Sequence, residues 1–139
     1  QVSYEGQGAI QLQALAESTE SDLTYSLPNK NGVWQWQPLV LEILQDIKKG
    51  VPPSVIAHQF HNALAKGAAE SLKAYPESQV VLGGGCFQNR LLVAKLARAL
   101  ESINKNMVLP NRLPINDGAI AVGQIAAQNI DFSLEAPCV

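Results

Sequence analysis

Cysteine, histidine and clustered positive charge are all scarce in this sequence, and each scarcity excludes a class of protein. Among 139 residues there are two cysteines and two histidines, and 10 Lys and Arg face 12 Asp and Glu, for a net charge of -2. Cys86 and Cys138 form no C-x-x-C pair, so neither a zinc framework nor a disulfide scaffold is indicated. The basic residues are scattered, whereas a nucleic-acid surface needs them clustered. We therefore expect no nucleic-acid partner.

Long apolar runs are absent as well. The sequence contains no stretch of about 18 apolar residues, so no membrane span is expected. No charged-then-apolar leader follows Gln1 either. We therefore expect a cytoplasmic protein, and the missing initiator Met suggests that upstream sequence has been removed. Hydrophobic residues make up 47% and charged residues 16% of the chain, a balance that favours a globular fold over disorder. We expect residues 1–139 to form a single domain.

Apolar spacing predicts a helix-rich α/β chain with β-α-β order in its second half and a small mixed sheet. Leu41, Leu44 and Ile47 define the expected inner face of the second helix, and Ser54 is the expected N-cap of the third. Alternation around Trp34 and Trp36 predicts an accessory hairpin over residues 21–37. The expected helices cover residues 6–17, 38–50, 54–75, 87–103 and 118–128. A short buried strand is expected over 79–82 and another short strand over 107–109.

Three consecutive glycines, Gly83, Gly84 and Gly85, join an expected strand to an expected helix. Such a bend exposes backbone N–H groups at one point, and the helix N-terminus adds partial positive charge there. Glycine also lets a flat base or a sugar approach the backbone closely. The motif is neither G-x-G-x-x-G nor a P-loop, which needs Lys and Ser or Thr. The residues alone leave a nucleotide site and a plain tight turn equally open.

Two carboxylates, Glu5 and Asp117, each precede an expected helix. Asp117 would either cap that helix or ligate a metal ion. Glu5 would either interact with the helix dipole or accept hydrogen bonds from the two hydroxyls of a ribose. His58 and His61 lie three apart on one helix, and we expect them to be packed or at the surface rather than to act as metal ligands.

Together and in this order, these features resemble the C-terminal domain of the HypF-type carbamoyltransferases of nickel–iron hydrogenase maturation. The likeness extends over residues 2–128. Two residues depart from the family pattern, because Gly83 stands where Ser is usual and Cys86 where Val is usual. The likeness rests on Tyr4-Glu5-Gly6-Gln7, Phe60-His61-Asn62, Gly84-Gly85 with Phe87-Gln88-Asn89, and Asn116-Asp117-Gly118.

The resemblance implies an actin-like ATPase (ASKHA) fold, of which this chain would be a C-terminal lobe. Gly84 and Gly85 would approach an adenylate, and Asn89 and Glu5 would hold its ribose. Asp117 would be one ligand of a divalent metal ion, whose histidine ligands belong to a motif N-terminal to Gln1. No residue of the chain is itself expected to be catalytic.

The family's enzyme uses carbamoyl phosphate and ATP to make carbamoyl adenylate. It then passes the carbamoyl group to the C-terminal cysteine of its partner HypE, which makes the precursor of the cyanide ligand. The resemblance therefore implies HypE and the other domains of HypF as partners. Because one wall of the nucleotide cleft and most metal ligands would lie elsewhere, we expect this piece to be inactive alone.

Two other interpretations remain open at this point. Cys86 follows a strand and three glycines, a setting in which a thiolate can act as the nucleophile of a hydrolase or amidotransferase. Such an enzyme would need a histidine base. Alternatively, the chain is a non-catalytic nucleotide-binding or interaction module, whose exposed apolar surface a homodimer would cover. The hairpin with Trp34 and Trp36 would then be a contact surface for HypE or another domain.

Overall fold

The computed structural model describes residues 3–128, which form five α-helices and two separate pairs of short strands. Two 3-10 turns, Gly85–Gln88 and Asp117–Ala119, precede the last two helices. The helix-rich α/β class is confirmed, although the strands do not join into one mixed sheet. The elements are α1 (Gln7–Glu17), β1 (Asn29–Lys30), β2 (Val33–Trp34), α2 (Trp36–Lys48), α3 (Pro53–Leu72), β3 (Gln79–Val81), α4 (Arg90–Glu101), β4 (Asn106–Val108) and α5 (Ile120–Ala127).

The centre of the fold is α3, which packs against α1 and α4. Its buried positions are mostly small, and Ala57 and Ala63 are almost fully enclosed. Small side chains allow neighbouring helices to approach closely. The helix begins at Pro53, whose fixed φ suits the first helical position. The prediction of Ser54 as the N-cap is therefore wrong, because the cap position falls on Pro52.

The main core lies between α3, α4 and the β3–β4 pair. Leu96 and Leu100 of α4 are buried against Ala65, Ala69 and Leu82, which confirms the predicted inner face of α4. The helix starts later than predicted because Phe87 belongs to the preceding 3-10 turn and Asn89 is the N-cap.

The parallel strands β3 and β4 pair Val80 with Met107 and are only half covered. Leu82, just beyond β3, is buried, but the side chain of Val81 is 74% exposed. The prediction of a fully buried strand is therefore wrong. The strands alternate between a packed face and an open face because α3 and α4 cover one side only.

The predicted hairpin is present but shorter than expected. Asn31 and Gly32 both have positive φ and form the turn between β1 and β2, as two-residue hairpins require. Trp36 is already in α2, so it does not belong to the second strand. Trp34 donates from Nε1 to Ser71 Oγ at 2.8 Å, which anchors the hairpin to α3.

The segment between α1 and the hairpin is held by side chains rather than by strand pairing. Asn62 of α3 donates to the carbonyl oxygens of Ser21 and Leu23, both at 2.7 Å. Farther along, the buried Tyr25 donates to Asp46 Oδ2 at 3.0 Å. The two bonds from Asn62 satisfy backbone carbonyl groups that a longer strand would otherwise pair.

The second helix buries a different face from the one predicted. Leu39 is buried and packs with Tyr25 and Ala63, whereas Leu41, Leu44 and Ile47 are about half exposed. The predicted inner face of α2 is therefore wrong, although the helix does carry apolar residues at the predicted spacing. Gly50 ends the helix with a φ of 73°, as predicted. Among the helices of residues 3–128, none is long and apolar enough to cross a membrane.

Candidate functional site

The glycine bend follows β3 and is tied to the loop that carries Asp117. Gly84 has φ 108° and ψ 155°, a conformation that is essentially restricted to glycine. Its amide donates to the carbonyl oxygen of Ile115 at 2.7 Å. The amides of Gly85 and Cys86 start the 3-10 turn and therefore have no partner within it. Within residues 3–128 neither amide has a backbone acceptor, so the bend presents backbone donors at one point, as the sequence predicted.

A cavity of about 460 Å³ lies between this bend, α1 and α3. Glu5, Gly85 and Asn89 all line it, so the structure brings three of the five predicted site residues together. Gly84 and Asp117 do not line it. No Lys or Arg is among the residues that line it. Its apolar wall consists of Ala9, Ile10, Leu12, Phe60, Leu64 and Leu92.

Asn89 has two structural contacts at the edge of this cavity. Its Oδ1 accepts from the amide of Leu92 at 2.9 Å and so caps α4. Its Nδ2 donates to His61 Nε2 at 2.9 Å. The amide group is therefore held in one orientation, with one N–H of Nδ2 left over.

His61 lines the same cavity and is only 2% exposed. Its Nδ1 lies 2.7 Å from the carbonyl oxygen of Ala57. Since a carbonyl can only accept, Nδ1 carries the hydrogen and Nε2 is the acceptor. Burial holds the pKa of His61 below its ordinary value, which favours this neutral form. No sequence pattern predicted this contact, because Phe60-His61-Asn62 indicated a family likeness without a role.

His58 repeats the same arrangement away from this cavity. Its Nδ1 pairs with the carbonyl oxygen of Ala16 at 2.9 Å, and its Nε2 accepts from Lys95 Nζ at 2.8 Å. Both histidines are buried, so the prediction that they are packed is confirmed. All four ring nitrogens have hydrogen-bond partners. Neither ring has a nitrogen free for a metal ion or for a base next to Cys86.

Glu5 lies in the turn before α1, where Gly6 takes the N-cap position with a φ of 80°. The side chain of Glu5 is exposed and makes no hydrogen bond or ion pair within residues 3–128. A free carboxylate on the rim of a cavity can accept hydrogen bonds from a ligand. The geometry is therefore compatible with the predicted role.

Asp117 lies in the 3-10 turn before α5, next to the glycine bend rather than inside the cavity. The N-cap is Asn116, whose Oδ1 accepts from the amide of Gly118 at 3.1 Å. The expectation that Asp117 caps this helix is therefore wrong, because the preceding residue has that role. Its carboxylate is exposed and unpaired within the part of the chain that the structure describes.

A single carboxylate cannot hold a divalent cation alone, because such ions take several oxygen or nitrogen ligands. Within residues 3–128 no group of three or more His, Cys, Asp or Glu could supply them. Asp117 suits a hard cation as one ligand among several. The remaining ligands would have to come from outside the described residues.

An ion pair joins α1 to the start of α4 beside the cavity. Arg90 donates from Nε and Nη2 to the two carboxylate oxygens of Glu17, at 2.8 and 2.9 Å. The hydrogen bond from Arg90 is the main cause that lowers the pKa of Glu17 to about 2. This Glu17–Arg90 pair links the end of α1 to the first residue of α4, whose N-cap is Asn89. Sequence reasoning missed it, because the two residues are far apart in the chain.

Comparison with known proteins gives consistent results. The family described as the second subdomain of the Kae1-like domain of carbamoyltransferases matches residues 1–124. Carbamoyltransferase HypF of Synechocystis sp. is 36% identical over 132 residues, which cover 92% of this chain and 17% of that protein. Carbamoyltransferase HypF of Rhizobium leguminosarum bv. viciae is 38% identical over 128 residues, which cover 88% of this chain and 16% of that protein.

The fold is similar to that of solved HypF structures. A crystal structure of full-length HypF in a phosphate- and nucleotide-bound form superposes with a TM-score of 0.82 and 30% sequence identity. The superposition covers 98% of this chain and 19% of that protein. The chain thus spans less than a fifth of the length of each of these three proteins.

Proposed function

The chain belongs to the HypF carbamoyltransferase family, within the second subdomain of its Kae1-like domain, and we propose that it forms one wall of the site where that enzyme holds an adenylate. The observation that carries this proposal is the shared cavity of Glu5, Gly85 and Asn89. A nucleotide-bound form of a similar HypF is known, which supports a nucleotide as the ligand. Residues 1–139 would be the C-terminal lobe of an actin-like fold.

The chemistry of the cavity wall suits the nucleoside part of such a ligand. The apolar side chains from α1, α3 and α4 offer a surface for a purine base. Glu5 would accept hydrogen bonds from the ribose hydroxyls, and Asn89 would donate one to a ribose oxygen. The glycine bend lets the backbone approach the sugar-phosphate without side-chain interference.

The phosphate groups need positive charge that this wall does not contain. The free amides of Gly85 and Cys86 would donate to phosphate oxygens, but no Lys or Arg lines the cavity. Asp117 would hold a divalent cation together with ligands from the rest of the enzyme. When bound, such an ion supplies charge neutralisation at phosphate and carbonyl oxygens.

In the complete enzyme we propose transfer of a carbamoyl group from carbamoyl adenylate to a cysteine thiol of HypE. The thiolate sulfur bonds to the carbamoyl carbon, the bond from that carbon to the phosphate oxygen breaks, and adenosine monophosphate leaves. The part of this reaction assigned to the present residues is placement of the adenylate. The opposite wall and the remaining cation ligands would come from other domains in the same cytoplasmic protein, so the piece alone would be inactive.

Cys86 provides a direct test, because it is exposed and lines the cavity. In the full-length protein that carries this chain, we expect adenosine monophosphate to slow alkylation of Cys86, as measured by peptide mass spectrometry. Glu5→Gln and Asn89→Ala should reduce this protection. Glu20→Gln is a matched control, since Glu20 lines a different cavity. Alkylation that is unaffected by saturating nucleotide would contradict the proposed site.

A second function, as a non-catalytic interaction module, is favoured by the exposed apolar face of α2. Val40, Leu41, Leu44 and Ile47 are each about half exposed, and contiguous apolar surface of this kind marks contact sites. Self-association of the piece into a homodimer would cover it. Light scattering of the isolated chain tests this function, which a strictly monomeric sample would contradict. A Cys86 nucleophile has no such support, since no histidine base is available within residues 3–128.

A further inference from the structure

We infer that His61 is a positioning residue, which fixes the side-chain amide of Asn89 so that Asn89 presents an N–H group to the bound nucleotide. This inference rests on the proposed function and deepens it. His61 itself would contact Asn89 rather than the reacting atoms. Its effect on the ligand would pass through the orientation of one amide group.

The orientation follows from a chain of hydrogen bonds with a single consistent direction. The carbonyl of Ala57 requires the hydrogen of His61 to be on Nδ1, so Nε2 offers a lone pair. That lone pair requires the NH₂ of Asn89 to face His61. The amide of Leu92 independently requires Asn89 Oδ1 on the opposite side. A flipped Asn89 amide would place two acceptors together at His61 and two donors together at Leu92.

The fixed amide leaves a defined group for the ligand. One N–H of Asn89 Nδ2 is used by His61, and the other is free to donate. Glu5, in contrast, can only accept when it is ionised. The two residues therefore complement each other, since a ribose hydroxyl both donates and accepts. His61 thus helps determine that the site recognises a hydroxylated sugar.

Protonation of His61 would reverse this arrangement. A second hydrogen on Nε2 would point at the NH₂ of Asn89 and force the amide to turn or to move away. The charged and titratable groups that face the ring are Glu17 on α1, His58 on α3 and Lys95 on α4. Burial is the largest effect and lowers the pKa of His61 below 6.5, so the neutral ring persists at neutral pH.

The pH dependence expected from His61 has a definite direction. Because the pKa is depressed in the folded protein, the stabilisation from neutral His61 is complete above about pH 6.5 and is lost as the pH falls through the folded value. Nucleotide affinity should therefore weaken on the acid side. This loss of affinity at acid pH (the acid limb) should depend on residue 61. A purely structural packing role would not produce that dependence.

The experiment measures the affinity of the full-length protein for adenosine monophosphate as a function of pH. His61→Leu removes the acceptor and should weaken binding by roughly 3- to 10-fold, the effect of one net hydrogen bond. His61→Gln can still accept from Asn89, so it should restore most of the affinity, and its loss of affinity at acid pH should be smaller than in the wild type, because only the phosphate of the ligand still titrates there. His58→Leu is the matched control. It removes a buried histidine of the same helix whose Nδ1 also pairs with a backbone carbonyl, that of Ala16, but this ring does not line the cavity.

The outcomes separate the inference from the proposed function. Wild-type protein that binds no adenosine monophosphate would overturn both. Wild-type binding together with unchanged affinity in His61→Leu would overturn the inference alone. A loss of affinity at acid pH that is as large in His61→Gln as in the wild type would do the same, and this arm remains informative even if His61→Leu fails to fold. Weakened binding in His61→Leu, but not in His58→Leu, would support the inference.

Discussion

The amide of Gly84 donates to the carbonyl oxygen of Ile115 at 2.7 Å, which joins the glycine bend to the loop of Asp117. The two segments are distant in the sequence, and each alone is compatible with an ordinary turn. Their contact brings the candidate cation ligand next to the free amides of the bend. It also depends on the unusual backbone of Gly84, because only that conformation aims the amide at Ile115.

Gly84→Ala should therefore disturb the site more than the same substitution at Gly83. An added Cβ at Gly84 meets no atom within 4 Å, but its φ of 108° is strained for any L-residue, at a cost of about 1–3 kcal/mol. We expect the bend to shift and the affinity for adenosine monophosphate to fall, as measured by calorimetry. Gly83→Ala is the control, because Gly83 has space for a Cβ and no positive φ. Equal affinities in the two variants would contradict the prediction.

Asp117→Asn should impair cation binding without affecting the fold. Its carboxylate is exposed, and the cap of the 3-10 turn is Asn116. We expect the full-length enzyme to require more Mn²⁺ or Mg²⁺ for ATP consumption, with an unchanged thermal unfolding midpoint. Asn116→Ala should leave the metal requirement unchanged but destabilise the turn by about 1 kcal/mol, because it removes the cap. An unaltered metal requirement in Asp117→Asn would remove this residue from the proposed ligands.

Leu100→Ala and Leu41→Ala should differ sharply in the isolated chain. Leu100 is fully buried in the main core, whereas Leu41 is 50% exposed on α2. Chemical denaturation should show a loss of about 2–5 kcal/mol for the buried leucine and less than about 0.5 kcal/mol for the exposed one. A large effect of Leu41→Ala that appears only in the full-length protein would indicate that another domain covers α2.

Tyr25→Phe should destabilise the segment before the hairpin by about 1 kcal/mol, because it removes the hydrogen bond to Asp46. Burial raises the pKa of Tyr25 above its ordinary value of 10.0. The unfolded tyrosine therefore ionises first, so the stabilisation is complete below about pH 10 and is lost as the pH rises beyond it. Tyr75→Phe is a control with an exposed ring. Urea unfolding below and above pH 10 measures this change. A Tyr25→Phe effect that stays the same size above pH 10 would contradict the prediction.

Sequence patterns predicted an element well where it is buried on one side only. The stripe of Leu92, Leu96 and Leu100 is the inner face of α4, since the opposite face of that helix is open. On α3 the buried residues are mostly small, because both α1 and α4 pack against this helix. The pattern failed for α2, where the exposed apolar face is as regular as the buried one, so spacing alone cannot tell them apart.

The candidate site was predictable in part. The family resemblance selected Glu5, Gly85 and Asn89, and the structure places all three around one cavity. The contact between His61 and Asn89 was not predictable, because it depends on how two helices pack side by side. Periodicity within a helix carries no information about that packing. Cys138 lies outside the described residues.

The Glu17–Arg90 pair has a consequence for how solution data would be interpreted. The guanidinium of Arg90 is largely in solvent, with 81% of its side chain exposed, so dissolved ions screen its attraction to Glu17. Added salt should therefore weaken this ion pair, whereas the packing of α1 against α3 keeps α1 in place. A steep decline of nucleotide affinity with ionic strength would then report charged groups of the rest of the enzyme at the phosphates rather than a loss of this pair.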